Sequence, residues 1–471
     1  MKRASKDSER KGPRKVGLLT PYTGGNLGDA AIQEAAICNV RRFWPGAEVC
    51  GFTLDPEASA RRHGIPCYPI MGPSPRHYAP VSWPRAAGPA SGTGGASGAI
   101  AHRTSLAVRK AVRRIPFLAG VLRRSYHATQ RISRKGAGLL FETRHVIASY
   151  RRVRQLDLVI VSGGGQLDDY WGGPWGHPYA LLKWGLLAWA ARKPYVFLSV
   201  GTCALRSTLS TLFIRGALKL AVYRSYRDQG SKDLVNRLGF TRSDPVFPDL
   251  AFSYSVPSNG NRRKSVSERL VIGVSPIAYL HPHLWPMSNA SVHDAYMKEL
   301  AVFIASLVRQ GHRVVLLPTA TSDAVVIKEL IHILHVDHGL GQDSAITGPP
   351  VSGLDDLFFH LRRVDCMVAS RLHGVILSHL AGKPVLAVSY DRKVAAYMTD
   401  MAQPEFCLDI HTVTAVSLEK TLHQLLANSE RSGAAISERA SEFRRLLENQ
   451  YDAAFSAIEE TQSGGRRQRH P

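Results

Sequence analysis

Apolar residues fall into two kinds of run along the chain. Val16–Thr20, Leu156–Ser162 and Tyr195–Val200 are short and continuous, the pattern of strands buried on both faces, and Glu48–Thr53 reads as a further strand. From about Leu27 to Trp44 the apolar positions recur at helical spacing until Pro45-Gly46 closes them. After a polar stretch at 253–268, the alternation begins again: Leu270–Ser275, Arg313–Leu317, Cys366–Ala369 and Val385–Ser389 as strands, Ser291–Gln310 as a helix. Ser291-x-x-Asp294 and Ser352-x-x-Asp355 resemble capping boxes, and Gly311 and Gly382 act as helix stops. Strands separated by helix-length segments demand right-handed βαβ units. The expected fold is α/β, with two Rossmann-like domains facing across a cleft: 16–255 and 256–420. C-terminal helices follow at 421–460, with a disordered basic leader at 1–15 and a disordered tail at 461–471.

The first domain carries an insert at 73–154. Its opening, to about Gly98, is rich in Pro, Gly, Ala and Ser and has no followable period, so it reads as a loop. Residues 102–154 then hold fourteen Lys/Arg against the single acid Glu142, interleaved with apolar residues such as Val108, Ile115, Leu122 and Ile147, which predicts basic amphipathic helices.

Composition narrows the function. With 44% hydrophobic and 21% charged residues in 471, the chain has ample material for cores. A formal charge of +23 calls for anionic partners: phosphorylated small molecules, anionic lipid or nucleic acid. No nucleic-acid module is recognisable. The six cysteines are scattered, without zinc-like spacing, and are expected to be reduced and mostly core. No signal-peptide core follows the basic start, and the most apolar long stretch, Tyr179–Ala191, is interrupted by Lys183 and too short to span a bilayer. A cytoplasmic protein without a transmembrane helix is expected.

In such sheets ligands bind beyond the carboxyl ends of the strands. Thr23-Gly-Gly-Asn-Leu-Gly-Asp29 stands after the first strand, where it can cradle phosphate or carboxylate, or merely make a tight turn with Asn26 or Asp29 as a cap. Ser162-Gly-Gly-Gly-Gln-Leu-Asp-Asp169, followed by Tyr170-Trp171 and Trp175-Gly176-His177, offers two acids that are either a base and a ligand or solvated caps, and aromatics that are either sugar contacts or core. Ser370-Arg-Leu-His-Gly374 either joins a permanent fork of donors to a side chain of the type that moves protons near neutral pH, or is a surface Arg with a capping His. Tyr390-Asp-Arg-Lys393 either adds positive charge beside it or is a solvated charge cluster, and Arg227-Asp228 is either functional or a helix-start ion pair.

In order and spacing, Asn26–Asp29, Gly163–Asp168, Arg227–Ser231, Ser370–Gly374 and Tyr390–Lys393 resemble the N-x-G-D, GGG-x-L-x-D, R-D-x-x-S, S-R-x-H-G and Y-D-x-K segments of the polysaccharide pyruvyl transferase family. The resemblance spans about residues 16–400. It implies a fold like the type B glycosyltransferases, phosphoenolpyruvate as donor substrate with no cofactor, and a sugar hydroxyl pair as acceptor during surface or exopolysaccharide biosynthesis. The family's active-site Arg and His correspond to Arg371 and His373. The long basic insert departs from the family pattern.

Protonating the methylene of an enol phosphate creates an oxocarbenium-like centre that a sugar hydroxyl attacks; phosphate leaves and a second hydroxyl closes the ketal. Arg371 and Lys393 are the expected cations for phosphate and carboxylate, His373 the proton mover, and Asp29 and Asp168 acceptor ligands or bases. Catalytic roles are therefore assigned to His373, Arg371 and Asp29. Asn26, Gly28, Gly164, Gly165, Asp168, Arg227, Tyr390 and Lys393 are assigned to substrate binding, and no metal ligands are assigned. The expected partners are phosphoenolpyruvate, a glycan or lipid-linked oligosaccharide and, through the insert, the anionic inner face of the cytoplasmic membrane; nucleic acid is not among them. A nucleotide-sugar glycosyltransferase of the same architecture is the nearest alternative, but the Glu pair that many such enzymes place in the second domain is missing: no Glu occurs between 331 and 404. A non-enzymatic basic membrane-surface protein is the second alternative.

Overall fold

The structure, a computed structural model, describes residues 12–72, 140–170, 172–203, 205–256, 269–340 and 345–467, with side chains as far as 460. Most of the expected leader, the Pro/Gly-rich loop, the basic stretch to 139, Trp171 and the last four residues lie outside them. The chain divides into two compact units, Met1–Ile70 with Arg152–Pro471, and Met71–Arg151. In the smaller unit the described residues 140–151 are helical, with Leu140, Phe141 and Ile147 exposed.

The larger unit holds two six-stranded parallel sheets. The first comprises β1 (Lys15–Leu19), β2 (Glu48–Thr53), β3 (Cys67–Pro69), β4 (Leu158–Ser162), β5 (Tyr195–Val200) and β6 (Tyr223–Tyr226), in the order β3-β2-β1-β4-β5-β6. The second comprises β7 (Val271–Ser275), β8 (Arg313–Leu316), β9 (Ile346–Thr347), β10 (Cys366–Ala369), β11 (Val385–Ser389) and β12 (Cys407–Asp409), in the order β12-β11-β10-β7-β8-β9. Both have the doubly wound order, whose switch points lie between β1 and β4 and between β7 and β10. Every residue of β4, β5 and β10 is buried, as their unbroken apolar runs require.

The helices that frame the switch points are α1 (Leu27–Phe43), α2 (Pro56–His63), α3 (His177–Ala190), α4 (Thr208–Leu220) and α5 (Gln229–Arg237) in the first half. In the second they are α6 (Ala290–Arg309), α7 (Thr321–His338), α8 (Leu354–Leu361), α9 (Leu372–Leu380), α10 (Arg392–Asp400), α11 (Ala415–Ala427) and α12 (Ser429–Arg467). The apolar stretch from Tyr179 lies within α3, where Trp184 is fully buried beside Phe52 and donates to the Ile70 carbonyl at 2.8 Å. Among the described residues no helix is long and apolar enough to cross a membrane.

The two halves meet through backbone. Leu27 N–H donates to Thr319 O at 3.0 Å and Thr321 N–H to Gly25 O at 2.8 Å, so the turn after β1 pairs with the turn after β8. Helix α12 begins on the second half, where Ser432 O accepts from Gln403 Nε2 at 3.2 Å. It ends on the first, where Phe455 stacks on Trp44 with ring centres 4.1 Å apart.

Three details correct the sequence expectations. Asn289, not Ser291, caps α6, because its side chain accepts from Val292 N–H, two positions earlier than expected. At α8 the cap is Gly353, and Ser352 turns its hydroxyl and amide to Asp356 rather than Asp355. All six cysteines are free but only Cys366 is buried: Cys67 and Cys407 lie on edge strands and Cys38 faces out from α1.

Candidate active site

The expected motifs gather where the two switch points face each other. After β1, Asn26 caps α1 by accepting from Gly28 N–H at 2.9 Å, which commits its side chain to the turn. Its cap sets Asp29 in the first turn. Burial holds the Asp29 carboxyl above the usual carboxylate range; His373 pulls it back, Asp249 pushes it up again, and Arg227 and Arg371 pull it down. Asp29 thus stands among groups from both halves.

After β4 the glycines turn sharply. Gly164 adopts a left-handed φ of +68°, and neither its amide nor that of Gly165 meets an acceptor among the described residues. Two bare N–H donors in such a turn suit an anion. An ideal Cβ on Gly164 would stand 3.6 Å from Asp29 Oδ1 and one on Gly165 3.6 Å from Asp168 Oδ2, so an acid flanks each. The loop is backed by His177, whose Nε2 pairs with Gln166 Oε1 at 2.8 Å; burial lowers this imidazole to about 4, leaving it neutral. Trp175 is exposed, its ring beside Tyr179 and Phe213.

The adjacent acids have different surroundings. Asp169 accepts from the amides of Arg206 and Ser207, each at 3.1 Å, at the start of α4. Burial pushes Asp168 up to about 6, against the pull of the Tyr170 amide at 3.3 Å and of Lys393. A carboxyl near that value can both give and take a proton close to neutrality.

After β10, Arg371 precedes α9 and His373 lies in its first turn. A Cβ on Gly28 would fall within the His373 ring, so only glycine there lets the imidazole seat against α1. His373 Nε2 lies 3.4 Å from Asp249 Oδ2 and has no other partner among the described residues. Arg227 Nη1 is also 3.4 Å from that oxygen, while Arg227 Nε reaches Asp228 Oδ2 at 3.3 Å. Burial would raise Asp249, but the bond and charge of His373, with Arg227 and the Ala251 amide, outweigh it and hold this carboxyl at about 2. An ionised, buried carboxylate facing an imidazole orients the ring. Asp228 meanwhile caps α5 through Ser231 N–H at 2.6 Å, so Arg227-Asp228 is both a helix-start pair and part of this cluster.

Arg371 is gripped rather than bare. Its Nε donates to both oxygens of Asp323 and its Nη2 to Ser322 Oγ, all at 2.8 Å, with Asp323 fully buried. Lys393, in α10, is paired only loosely, its Nζ 3.8 Å from Asp391 Oδ2 and 5.2 Å from the Tyr390 ring. Tyr390 belongs to a half-buried aromatic group: its ring centre is 5.5 Å from Tyr279 and 5.8 Å from Trp285, and Trp285 is 6.2 Å from Tyr170 of the first half. Asp249, Asp323 and the Tyr279–Trp285 pair escaped the sequence reading. Asp323 follows the end of β8 and Tyr279 the end of β7, the positions where a ligand-binding residue is to be sought, but neither sits in a glycine-rich or charged run.

The family model described as Polysaccharide pyruvyl transferase matches residues 26–392. Solved structures share the fold at low identity. A putative UDP-N-acetylglucosamine 2-epimerase from Listeria monocytogenes superposes with TM-score 0.54 at 14% identity, over 95% of this chain and 97% of that one. HepE of Anabaena, in complex with UDP, gives 0.50 at 13%, over 96% and 100%. A glycosyltransferase from Rickettsia africae gives 0.50 at 9%, over 94% and 99%. The two parallel-sheet domains are thus of the type B glycosyltransferase kind.

Proposed function

Because this chain belongs to the polysaccharide pyruvyl transferase family, we propose that it transfers the enolpyruvyl carbons of phosphoenolpyruvate to a pair of sugar hydroxyls, closing a pyruvate ketal and releasing inorganic phosphate. The observation that carries this reading is the His373–Asp249 pair, which joins the two halves, together with a second carboxyl, Asp168, that burial holds at about 6. Acid and base are both required, since the methylene gains a proton and two hydroxyls lose theirs.

In this reading the Gly164 and Gly165 amides and Lys393 receive the donor's phosphate and carboxylate, Lys393 being held less closely by its own acid than Arg227 or Arg371 by theirs. Arg371, already held by Asp323, supplies a fixed field and directs its remaining donors to the same anion. Asp168 delivers the proton to the methylene carbon, positive charge develops at the adjacent carbon, and one hydroxyl attacks there. His373, oriented by Asp249, takes that hydroxyl's proton. Phosphate then leaves with the proton held on His373, and the second hydroxyl bonds to the same carbon, its proton returning to the Asp168 carboxylate. The aromatic group around Tyr390 offers ring faces for the acceptor sugar.

The acceptor is a glycan or lipid-linked oligosaccharide, and the basic insert holds the enzyme at the inner face of the cytoplasmic membrane. Each Lys or Arg near an anionic surface contributes on the order of 1 kcal/mol. Removal of the insert should shift the protein from anionic liposomes to the supernatant at low salt, with turnover on a short soluble acceptor retained; a wild-type chain that never sediments with such liposomes rules the tether out.

The deciding experiment incubates the protein with phosphoenolpyruvate or with UDP-sugars and a panel of glycans, following phosphate release and product mass. Acceptor-dependent phosphate release with a ketal in the product is expected. Sugar transfer from UDP-sugar without consumption of phosphoenolpyruvate would overturn the reading.

A further inference from the structure

A second cluster lies in the second half, between the segment after β7 and helix α7. His281 Nε2 is 3.0 Å from Glu329 Oε1, and His293 Nε2 is 3.7 Å from Glu329 Oε2. The two imidazoles meet edge to face at 4.9 Å, and the three ligand atoms all lie within 4.8 Å of one another. None of the three residues takes part in the chemistry above.

Proton placement decides what this cluster needs. His293 Nδ1 is 3.1 Å from the Tyr279 carbonyl, which can only accept, so Nδ1 carries the ring proton and Nε2 presents a lone pair. That Nε2 is buried, has no hydrogen-bond partner among the described residues, and faces a carboxylate oxygen. Two lone pairs facing each other at 3.7 Å repel unless a cation stands between them. The backbone aims the set: Leu280, immediately before His281, holds a left-handed φ of +52°, an unusual conformation for a branched apolar residue.

We propose that His281, His293 and Glu329 bind one divalent transition-metal ion, best matched by zinc. Two imidazoles and a carboxylate are a set of borderline ligands that zinc accepts, and bonds of about 2.0–2.1 Å in tetrahedral geometry place ligand atoms roughly 3.3–3.4 Å apart. The observed 3.0 and 3.7 Å, each to a different oxygen of the Glu329 carboxylate, straddle that separation. Glu329 is only half-buried, which leaves a path for the ion and a position for water.

One contact has to yield. His281 Nδ1 accepts from His283 N–H at 3.1 Å, whereas ligation through Nε2 moves the ring proton to Nδ1. His283 is exposed, so water can take its amide. The ion would tie the segment carrying Tyr279 and Trp285 to the helix whose first turn carries Asp323, a positioning role independent of the reaction proposed above.

The test uses the full chain, freed of any purification tag, stripped with EDTA and titrated with Zn2+ by calorimetry, with metal content by mass spectrometry and the visible spectrum of the Co2+ form as a report of His ligation. About one equivalent should bind and raise the melting temperature. His293→Ala and the near-isosteric Glu329→Gln should each weaken binding at least ~10-fold. His332→Ala, an exposed histidine on the same helix, should not. If the wild-type chain binds Zn2+ and Co2+ no better than Glu329→Gln, the cation between the two groups is a proton and the metal site is wrong. Should a variant fail to fold, the wild-type titration and its cobalt spectrum decide alone.

Discussion

The imidazole of His373 occupies the space that a side chain at Gly28 would need, so the first turns of α1 and α9, from opposite halves, fit only because one of them is glycine there. Gly28→Ala should push His373 off Asp249 while leaving both sheets intact. Turnover should fall at least ~10-fold, as expected when a proton-transfer group loses its position, with an unchanged circular dichroism spectrum. Full activity in this variant would show that the ring can move without consequence.

Asp249→Asn tests the orienting carboxylate. The variant should lose on the order of 10²-fold in kcat, the range for a disabled general acid or base. Stability has a sign of its own. The folded carboxyl titrates at about 2, below the ~3.9 of an unfolded chain, so its contribution is full above the higher value and is lost as pH falls through the lower. Wild type should therefore weaken between about pH 4 and pH 2, a loss to be read from urea melts, and the Asn variant should lack that component.

Asp168 runs the other way. Its folded pKa of about 6 lies above the unfolded ~3.9, so the folded state keeps a proton the unfolded chain has released, and stability declines as pH rises through that window. Asp168→Asn should be more stable than wild type at pH 8, by on the order of 1 kcal/mol, and poorly active. Wild-type kcat/KM should fall above about pH 6, the value of this carboxyl. Since Lys393 draws that pKa down, Lys393→Met should move the limb to higher pH. A pH profile identical in Lys393→Met and wild type would remove Asp168 from the acid role.

Arg371→Ala leaves the Asp323 carboxyl fully buried without its guanidinium partner. Breaking such a pair costs about 3–5 kcal/mol, so the single variant should melt early. Adding Asp323→Asn should recover much of the stability and none of the turnover. A single variant as stable as wild type would show that the pair is not structural.

Eight of the twelve strands are legible in the sequence, and the four that are not, β3, β6, β9 and β12, are the edges of the two sheets. A central strand is buried on both faces and shows as a solid apolar run, whereas Cys67–Pro69 and Cys407–Asp409 are half-open and carry no such run. The site divides in the same way. Residues in glycine-rich turns or charged runs, such as Asp168, Arg371 and His373, stand out. Asp249 and Asp323 act by pairing with them from segments without a motif: Asp249 meets His373 only once the halves are folded together, and Asp323 meets Arg371 only once the second half has folded. Asn26, assigned to substrate binding with a cap as the alternative, spends its side chain on the cap of α1.

Helix α12 leaves the second half near Ser432 and docks on the first, where Gln450 bonds to both Ser199 and Ser225 and Phe455 seats on Trp44. The halves are thereby joined by a packed strap as well as by the peptide linking β6 to β7, and continuity of that peptide is not what keeps them together. Expressed as two fragments parted near residue 260, the chain should reassemble into a working heterodimer, with α12 serving as its dimerisation handle; ending the second fragment at Ala427 should weaken that association.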